Sequence, residues 1–372
     1  MAHFVRDTGD GLNPIQWSNK IFYEHIKLLT LDKGVAGPMG SGRPVVMDFS
    51  LRGKAGDTIR HTFIPYVEAT PIRGQDTMVL GNENSYNEFS LDVTIDEVNI
   101  PFARRGKMTE QRTLYDTRKI LSKMISTNFS QYNEKQIFKV LSGIDFNDDD
   151  SATYLGAADA VDRVQGDNRC IRATGTSDST EVTEANSNTA QLLSDMAVTD
   201  KLSPKLIDDA VIMVRTADSS GNDTAGSATN TYKLKPLRIE GSEEVFVLYV
   251  SLKAARDLRY NDDWLAHAYS LAERGFENSP LAKGALGVWN NVIIKPAEHV
   301  LECGSAGDQI ARNLLVGADA CFSAWAQTLD YTEELEDHER RLSVNGSEIR
   351  GEKKIAFNGV DCGVAQVITA SN

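Results

Sequence analysis

Residues 109–143 read TEQRTLYDTRKILSKMISTNFSQYNEKQIFKVLSG and set the architecture of the chain. Apolar residues recur there at steps of three, four and seven with polar residues between them, which is the pattern of an amphipathic helix. They are Leu114, Leu121, Met124, Ile125, Tyr132, Ile137, Phe138 and Leu141. Thr109 suits the N-cap, Gly143 suits the C-cap, and no Pro or Gly interrupts the stretch. At 1.5 Å per residue this helix would be roughly 50 Å long, which is typical of a scaffold.

Two strands joined by a wide loop are predicted just before the helix, in residues 56–106. The outgoing strand is GDTIRHTFIPY, and the returning strand spans residues 87–95. In the returning strand the apolar side chains of Phe89, Leu91, Val93 and Ile95 alternate with polar ones. A two-stranded ribbon with one apolar face is marginal alone. We therefore expect the long helix to cover its base and a different subunit to meet its outer half.

The remainder of the chain alternates helical and extended patterns. The glycine-rich residues 34–42 precede Arg43-Pro44, which favours a flexible arm over a phosphate-binding loop. Ser203-Pro204 predicts a helix start, and residues 243–250 predict a buried strand. The small apolar residues at 311–329 predict a core helix or a strand–helix pair. Asn345-Gly346 and Asn358-Gly359 are the turn signals of two hairpins.

Composition limits the function classes. The chain has 372 residues and a formal charge of −14, which argues against a general grip on nucleic acid phosphates. Its four cysteines are far apart in sequence, with no CxxC pair, and are interpreted as reduced core thiols. No secretory signal core and no run of eighteen apolar residues occurs, so an aqueous, reducing compartment and no membrane partner are expected.

The sequence contains no recognised catalytic constellation. Its six histidines are scattered and are interpreted as surface or capping residues. Asp145, Asn147 and Asp149 have the spacing of a calcium loop, but Asp150 stands where such a loop needs Gly and Gly156 where it needs Glu. A solvated turn is favoured there, with a weak ion site or a soluble metal-dependent hydrolase as alternatives. No enzymatic activity, cofactor or metal is expected.

Several motifs carry a resemblance to a known family. They are GDTIRHTF, GQDTMVLGNEN (residues 74–84), VNIPFARRGKMTEQRTLYDTRK, FVLYVSLKAARDLRYNDDW and ENSPLAKGALGVWNNVII, in this order. These segments resemble the major capsid proteins of tailed bacteriophages, and most closely the N-four-like podophage coat proteins. The similarity covers residues 56–143 and 235–300 well and the N-terminal arm poorly. Pro280 follows Ser279 where the family pattern has Asn before Pro.

This resemblance implies an α+β fold of the Hong Kong 97 capsid type. Its parts would be an N-terminal arm at residues 1–55, an extended β-loop at 56–106 and a spine helix of the peripheral domain at 107–143. Residues 144–340 would be mainly a mixed α/β axial domain, and 341–372 would be C-terminal β-strands.

The resemblance also implies a function. Hexamers and pentamers of the chain would build an icosahedral virion shell around double-stranded DNA, assembled in the host cytoplasm, with an encapsulin-like compartment as an alternative. Scaffolding, portal and possible decoration proteins would be partners, and contact with DNA would be weak and non-specific. The candidate subunit contacts are Trp17, Phe22, Ile72, Met78, Leu80, Asn82, Glu83, Phe89, Leu91, Arg104 and Arg105.

One property of the founding phage of that fold can be checked on the residues. That phage joins its subunits covalently through a lysine in the extended loop, whereas no Lys occurs here between Ala55 and Gly106. Non-covalent contacts, multiplied over a closed shell, are therefore expected to hold the subunits together.

Overall fold

A computed structural model provides the fold. The residues that the structure describes are 35–63, 71–73, 88–104, 117–144, 169–175, 178–181, 195–216, 233–238, 244–265, 285–303, 309–336, 341–357 and 360–371, with the single residues 106, 108, 111, 146 and 338.

Three helices and eighteen strands are defined in this part of the chain. The helices are α1 (Thr117–Leu141), α2 (Pro204–Thr216) and α3 (Leu252–Arg259). The first strands are β1 (Ala36–Gly37), β2 (Val45–Asp48), β3 (Thr58–Phe63), β4 (Phe89–Thr94), β5 (Asp96–Ala103), β6 (Cys170–Thr174), β7 (Asp178–Glu181), β8 (Leu237–Arg238) and β9 (Glu244–Val250). They are followed by β10 (Gly287–Trp289), β11 (Val292–Pro296), β12 (Glu302–Cys303), β13 (Ile310–Val316), β14 (Cys321–Glu336), β15 (Arg341–Lys354), β16 (Ala356–Phe357), β17 (Val360–Asp361) and β18 (Val364–Ala370).

A five-stranded sheet forms one half of the core, in the order β1-β2-β14-β15-β5. Its centre is the long antiparallel pair β14–β15, and β5 extends it from Ala103 opposite Ser343 to Asp96 opposite Arg350. The prediction of a helix within residues 311–329 is therefore wrong, because this segment forms β13 and much of β14. The small apolar residues there are buried on both faces of a sheet, and such a run has no period of two to distinguish it from a core helix.

Helix α1 lies across this sheet. Ile125 and Phe129 are fully buried against Leu329, Tyr331 and Val344. The predicted apolar stripe is only partly correct, since Met124 is 47% exposed. At its C-terminal end, the N–H of Gly143 donates to the carbonyl of Val140 at 2.9 Å, and that of Ile144 donates to Lys139 at 3.2 Å.

Those two hydrogen bonds, together with φ of 91° at Gly143, form a Schellman cap, so the predicted C-cap is confirmed. The predicted start at Thr109 lies outside the described residues.

Gly346 shows why the helix can approach the sheet. The sequence predicts a hairpin turn at Asn345-Gly346, but both residues lie inside β15. A Cβ atom on Gly346 would lie 2.5 Å from Cγ2 of Ile125 and 2.8 Å from Cε2 of Phe129. This glycine therefore serves close packing, and the turn prediction there is wrong. Asn358-Gly359 lies outside the described residues, and the strands on either side of it in sequence, β16 and β17, pair antiparallel.

A nine-stranded mixed sheet forms the other half, in the order β10-β11-β9-β13-β18-β6-β7, with β8 paired to β9 and β12 to β13. Alternate residues of β9 face opposite layers. Phe246, Leu248 and Val250 pack with α2 and α3, whereas Val247 and Tyr249 pack with the C-terminal end of α1. The predicted buried strand is confirmed, and α1 contributes to the cores of both sheets.

The caps of α2 and α3 follow from local sequence. Ser203 accepts a hydrogen bond from the N–H of Leu206 at 3.3 Å, directly before Pro204 in the first turn, as predicted. Ser251 accepts one from Ala254 at 3.2 Å. Each hydroxyl satisfies an N–H that the first turn of a helix otherwise leaves unpaired.

Part of the segment predicted as an arm belongs to the core. Val35, Val45 and Val46 are at most 2% exposed, and β2 pairs in parallel with β14. A hydrogen bond joins the two ends of the glycine-rich turn: Nη1 of Arg43 donates to the carbonyl of Ala36 at 2.6 Å. The sequence predicts a flexible arm at residues 34–42, whereas the structure shows Val35 in the core, β1 at Ala36–Gly37 and a largely exposed turn at residues 38–42.

The four cysteines are free thiols, three of them fully buried. Burial raises the pKa of Cys170 to about 12, so this thiol is unreactive, as expected of core cysteines. Among the described residues, no helix has the length and apolar character needed to cross a membrane.

Candidate subunit-contact surface

The predicted ribbon is present. Strands β3 and β4 pair antiparallel from Thr58 opposite Thr94 to Phe63 opposite Phe89. The connecting segment therefore leaves from the end of the ribbon at which Phe63 and Phe89 meet. Every pair is formed without a bulge, so the side chains of each strand keep to fixed faces.

The apolar face of the ribbon is buried at its base. Leu91 and Val93, at 9% and 1% exposure, pack against Val46, Phe322 and Ile355. The expectation that the long helix covers this base is wrong, because the cover comes from β2, from β14 and from Ile355, which directly follows β15. Burial of each such side chain stabilises the subunit by roughly 1.5–3 kcal/mol, so this end of the ribbon is fixed to its own subunit.

His61 is also buried at the base of the ribbon. His61 is 6% exposed, and its ring stacks on that of Phe322 with centroids 4.1 Å apart. Burial lowers the pKa of His61, against an opposing effect of Asp48, whose carboxylate lies 3.6 Å away. His61 is thus a core residue, and the surface or capping role predicted for the histidines is wrong at this position.

The other face of the ribbon is polar and exposed. The guanidinium of Arg60 makes two hydrogen bonds, of 2.6 and 2.7 Å, to the carboxylate of Asp92 on the paired strand. The hydrogen bond from Arg60 lowers the pKa of Asp92. Nζ of Lys353 donates to the carbonyl of Asp92 at 3.0 Å. This face fixes the two strands to each other in register.

The predicted contact residues that the structure describes occupy different environments. Phe89 is half-buried at the end of the ribbon, Leu91 is buried at its base, Ile72 is 37% exposed, and Arg104 is half-buried just after β5. The backbone N–H of Arg104 donates to Leu342 at 2.9 Å. The others lie outside the described residues: Trp17, Phe22, Met78, Leu80, Asn82, Glu83 and Arg105.

One exposed surface was missed by the sequence patterns. Ile120 and Met124 are 42% and 47% exposed on α1, with the exposed Lys123 beside them. The sequence pattern places Met124 in the buried stripe and assigns Ile120 to no face. The signal that identifies them is an apolar pair at i and i+4, flanked by lysines, on a helix whose opposite face is already filled.

A buried cluster of charges lies under α1. Arg350 on β15 lies between Glu348 and Glu352, with nitrogen-to-oxygen distances of 3.5 and 2.7 Å. Its guanidinium also lies within 6 Å of the ring centroids of Tyr132 and Trp325. Burial raises the pKa of Glu348 to about 7, against opposing effects of Arg350 and Asn133, and it raises that of Glu352 as well.

No arrangement in the described residues suits a metal ion, since no group of three His, Cys, Asp or Glu side chains converges there. The calcium-like stretch falls almost wholly outside the described residues, since the structure describes neither Asp145 nor residues 147–150. The alternative of a metal-dependent hydrolase at Asp145–Asp150 therefore has no described geometry behind it.

Known proteins provide an independent comparison. A family profile described as "Phage capsid protein" matches residues 7–372. The capsid of Ralstonia phage GP4 is 22% identical with a TM-score of 0.73, covering 92% of this chain and 91% of that chain. The capsid of cyanophage Pam1 is 18% identical with a TM-score of 0.68, covering 93% of both chains. No curated protein matches the chain.

The capsid of Helicobacter pylori bacteriophage KHP30 has a TM-score of 0.60 at 13% identity, covering 91% of this chain and 90% of that chain. Likenesses at such low identity show a common fold, and that fold is the Hong Kong 97 capsid type that the sequence resemblance implies. The family profile extends over nearly the whole chain. The chain thus belongs to the phage capsid protein family, as a major coat protein whose copies build an icosahedral shell.

Proposed function

We propose that copies of the chain assemble as hexamers and pentamers and that the shell they form encloses double-stranded DNA. The observation that carries this proposal is the β3–β4 ribbon, whose base is packed inside its subunit while Phe89 at its far end is half-buried. A ribbon that ends on a partly covered aromatic ring is stabilised when another surface covers it. In a closed shell, each subunit provides that surface to a neighbour.

In this proposal the two sheets belong to different domains of the capsid subunit. The five-stranded sheet with α1 serves as the peripheral domain, and the nine-stranded sheet with α2 and α3 serves as the axial domain near the capsomer centre. The β3–β4 ribbon serves as the base of the extended loop, which spans residues 56–106. This division moves β14 from the axial to the peripheral domain, because β14 pairs with β2 and β15.

The proposed contacts between subunits are the eleven residues identified from the sequence. Two described ones support this role directly, because Ile72 is exposed and Phe89 is half-buried at the ribbon end. Leu91 acts indirectly, through its packing inside the subunit. Scaffolding, portal and decoration proteins are the proposed further partners, and assembly takes place in the host cytoplasm.

The role of the protein is mechanical and involves no catalysis. The charge of −14 supports a weak, non-specific contact with DNA, since a strongly acidic subunit repels phosphates except at local cationic surfaces. DNA is therefore held mainly by enclosure.

Electron microscopy of particles from phage-infected cells, before and after nuclease treatment, tests this proposal. Icosahedral particles whose DNA survives nuclease are expected. A protein-only compartment with a protein cargo would support the encapsulin-like alternative instead, and a small oligomer in the virion fraction would contradict both.

The shell is held together without covalent links through the ribbon loop, because no Lys lies between Ala55 and Gly106. Denaturing gel electrophoresis of mature particles checks this point. A single band near the 40.9 kDa chain mass is expected. Ladders of covalent oligomers that persist in boiling detergent would contradict it.

A further inference from the structure

A row of buried charges runs along β15. Its members occupy alternate positions of the strand and are at most 8% exposed: Glu348, Arg350, Glu352 and Lys354. Lys353, between the last two, is exposed and donates to the ribbon on the other face of the sheet. Alternate residues of a strand point to one face about 7 Å apart, so these four side chains share a face. Negative and positive charges alternate along the row.

The row continues beyond the five-stranded sheet. Nζ of Lys354 lies 2.8 Å from Oδ2 of Asp361 on β17, and Nε of Arg169 donates to the carbonyl of Asp361 at 2.6 Å. Asp361 and Arg169 are themselves buried. Arg169 directly precedes β6, and its own carbonyl accepts from the N–H of Gln366 on β18 at 2.7 Å. The row therefore begins in the five-stranded sheet and ends in the nine-stranded sheet.

These last members lie where the chain passes from one sheet to the other. β16 and β17 connect β15 to β18, so the Lys354–Asp361 ion pair spans this crossing. Apolar residues of both sheets also meet at the junction, with Val45 of β2 and Leu314 of β13 in one cluster. Apolar burial has no preferred direction, whereas a charge-assisted hydrogen bond needs a defined geometry. The apolar contacts can hold the sheets together, and the ion pair can fix their angle.

The energetics of buried ions favour such a role. An ion pair taken out of water contributes little net stability compared with apolar side chains of the same volume. Any shift of one sheet past the other, however, would separate Lys354 from Asp361 inside a site of low polarity, where attraction between charges is strong. The pair therefore penalises alternative arrangements of the two sheets more than it stabilises the folded chain.

We infer that the buried Lys354–Asp361–Arg169 cluster is a latch that holds the five-stranded and nine-stranded sheets in one relative orientation. The latch is a property of the single subunit. It has one consequence for the shell, and that consequence rests on the proposed function: copies in pentamers and in hexamers share this orientation and differ in parts of the chain outside the junction.

An apolar replacement of the ion pair tests the latch. Lys354→Met with Asp361→Leu removes one charge of each sign and keeps a similar outline of both side chains. This double variant is expected to unfold in urea at the same concentration as wild type or at a higher one. A lower concentration would mean that the pair serves stability, and would overturn the inference.

Spin labels on the two sheets measure their relative orientation in unassembled subunits. Glu97→Cys on β5 and Arg259→Cys on α3 provide exposed labelling sites. Cys362→Ser is included in every chain, because the other three cysteines are fully buried. Double electron–electron resonance is expected to give a label-to-label distance distribution at least twofold broader with the Lys354→Met and Asp361→Leu substitutions than without them. An unchanged distribution would overturn the latch.

A matched control removes an ion pair that lies within one layer. Lys205 of α2 lies 3.1 Å from Asp178 of β7, and both side chains are exposed. Lys205→Gln with Asp178→Asn is expected to leave the distance distribution as narrow as in wild type. Equal broadening in the control and in the latch variant would show that loss of any ion pair loosens the subunit, and would overturn the inference.

Wild-type shells provide a second test that needs no substitution. Copies at five-fold and six-fold positions of an electron cryo-microscopy map are superposed on the five-stranded sheet. The same orientation of the nine-stranded sheet in all of them is expected, and different orientations would overturn the latch. If wild-type chains form no shells, the proposed function fails, whereas the spin-label measurement on subunits still decides the latch.

Discussion

At the scale of single residues, the buried Glu348–Arg350–Glu352 cluster makes stability depend on pH. The cation Arg350 lies within ion-pair distance of both carboxylates, and all three side chains are buried. Burial raises the pKa of Glu348 to about 7 from an ordinary value of 4.5. Glu348 therefore binds a proton in the folded chain at pH values where the unfolded chain has lost it.

The first prediction concerns the change of the free energy of unfolding with pH, and its direction follows from this difference in proton binding. The contribution of Glu348 to the free energy of unfolding falls as pH rises from about 4.5 to about 7 and stays lower above that range, because the folded state then loses the proton of a buried carboxyl group. Glu348→Gln removes the charge and keeps a polar group near Asn133. We expect this variant to exceed wild type in free energy of unfolding by on the order of 2 kcal/mol at pH 8 and by little at pH 4.

Urea unfolding of unassembled subunits at the two pH values measures the effect. Glu97→Gln, at an exposed carboxylate on β5, is the matched control and should show little change at either pH. A stability difference for Glu348→Gln that is the same at both pH values would contradict the account of a buried, protonated carboxyl.

Gly346 gives a second prediction at this scale. In Gly346→Ala, the new methyl group meets Ile125 and Phe129, so α1 must move away from β15. A loss of about 1–3 kcal/mol in the free energy of unfolding is expected from overpacking of this kind. Ser347→Ala, on the opposite face of the same strand, should change stability by less than about 0.5 kcal/mol. Thermal unfolding of the two variants compares them, and equal losses would argue against the close contact.

At the scale of elements, the N-terminal segment gives a third prediction, from two truncations. Removal of residues 1–34 leaves β1 and β2 in place, so a folded subunit is expected that fails to form shells. Removal of residues 1–50 also deletes Val35, Val45 and Val46 from the core, so an unstable subunit is expected. Circular dichroism with electron microscopy checks both, and normal shells from either truncation would contradict the role of this segment.

The ribbon gives a fourth prediction. Phe89 is half-buried at the ribbon end, so Phe89→Asp should cost the subunit little stability and block shell formation, since the charge must be buried at the contact. Glu88→Asp, at the exposed neighbouring position, keeps the charge and should assemble normally. Sedimentation separates shells from subunits. Shells of Phe89→Asp in wild-type yield would show that no neighbour covers the ribbon end.

Local signals predicted several elements correctly from sequence alone. The caps at Ser203 and Gly143 and the alternating strand of the ribbon depend on residues close together in the chain, so a short window contains their cause. The pairing of β5 with β15 joins Ala103 to Ser343, and no local pattern contains that information. The turn prediction at Gly346 is wrong for the same reason, since this glycine packs against a helix more than two hundred positions earlier in the sequence.

Local sequence could likewise identify some of the candidate contact residues and not others. Phe89 could be identified because its strand alternates cleanly. Ile120 and Met124 could not be identified from sequence. The exposed side of α1 depends on packing against β14 and β15, which lie far from α1 in the sequence. Periodicity shows that a helix has an apolar face and leaves open which residues other elements will cover.

At the scale of the whole molecule, charge governs assembly. Each subunit carries a formal charge of −14, so subunits repel one another at low ionic strength. We expect light scattering from assembling subunits to rise as salt increases from about 20 mM to about 150 mM, because screening shortens the range of this repulsion. A steady fall of scattering over that range would contradict the prediction and indicate that attraction between opposite charges dominates.

The central claim is that the subunit is completed by its neighbours at the ribbon end. A symmetry-resolved electron cryo-microscopy map of the mature shell tests it most directly. The account predicts that a neighbouring copy covers Phe89. A shell in which the ribbon ends of all copies face solvent would contradict it.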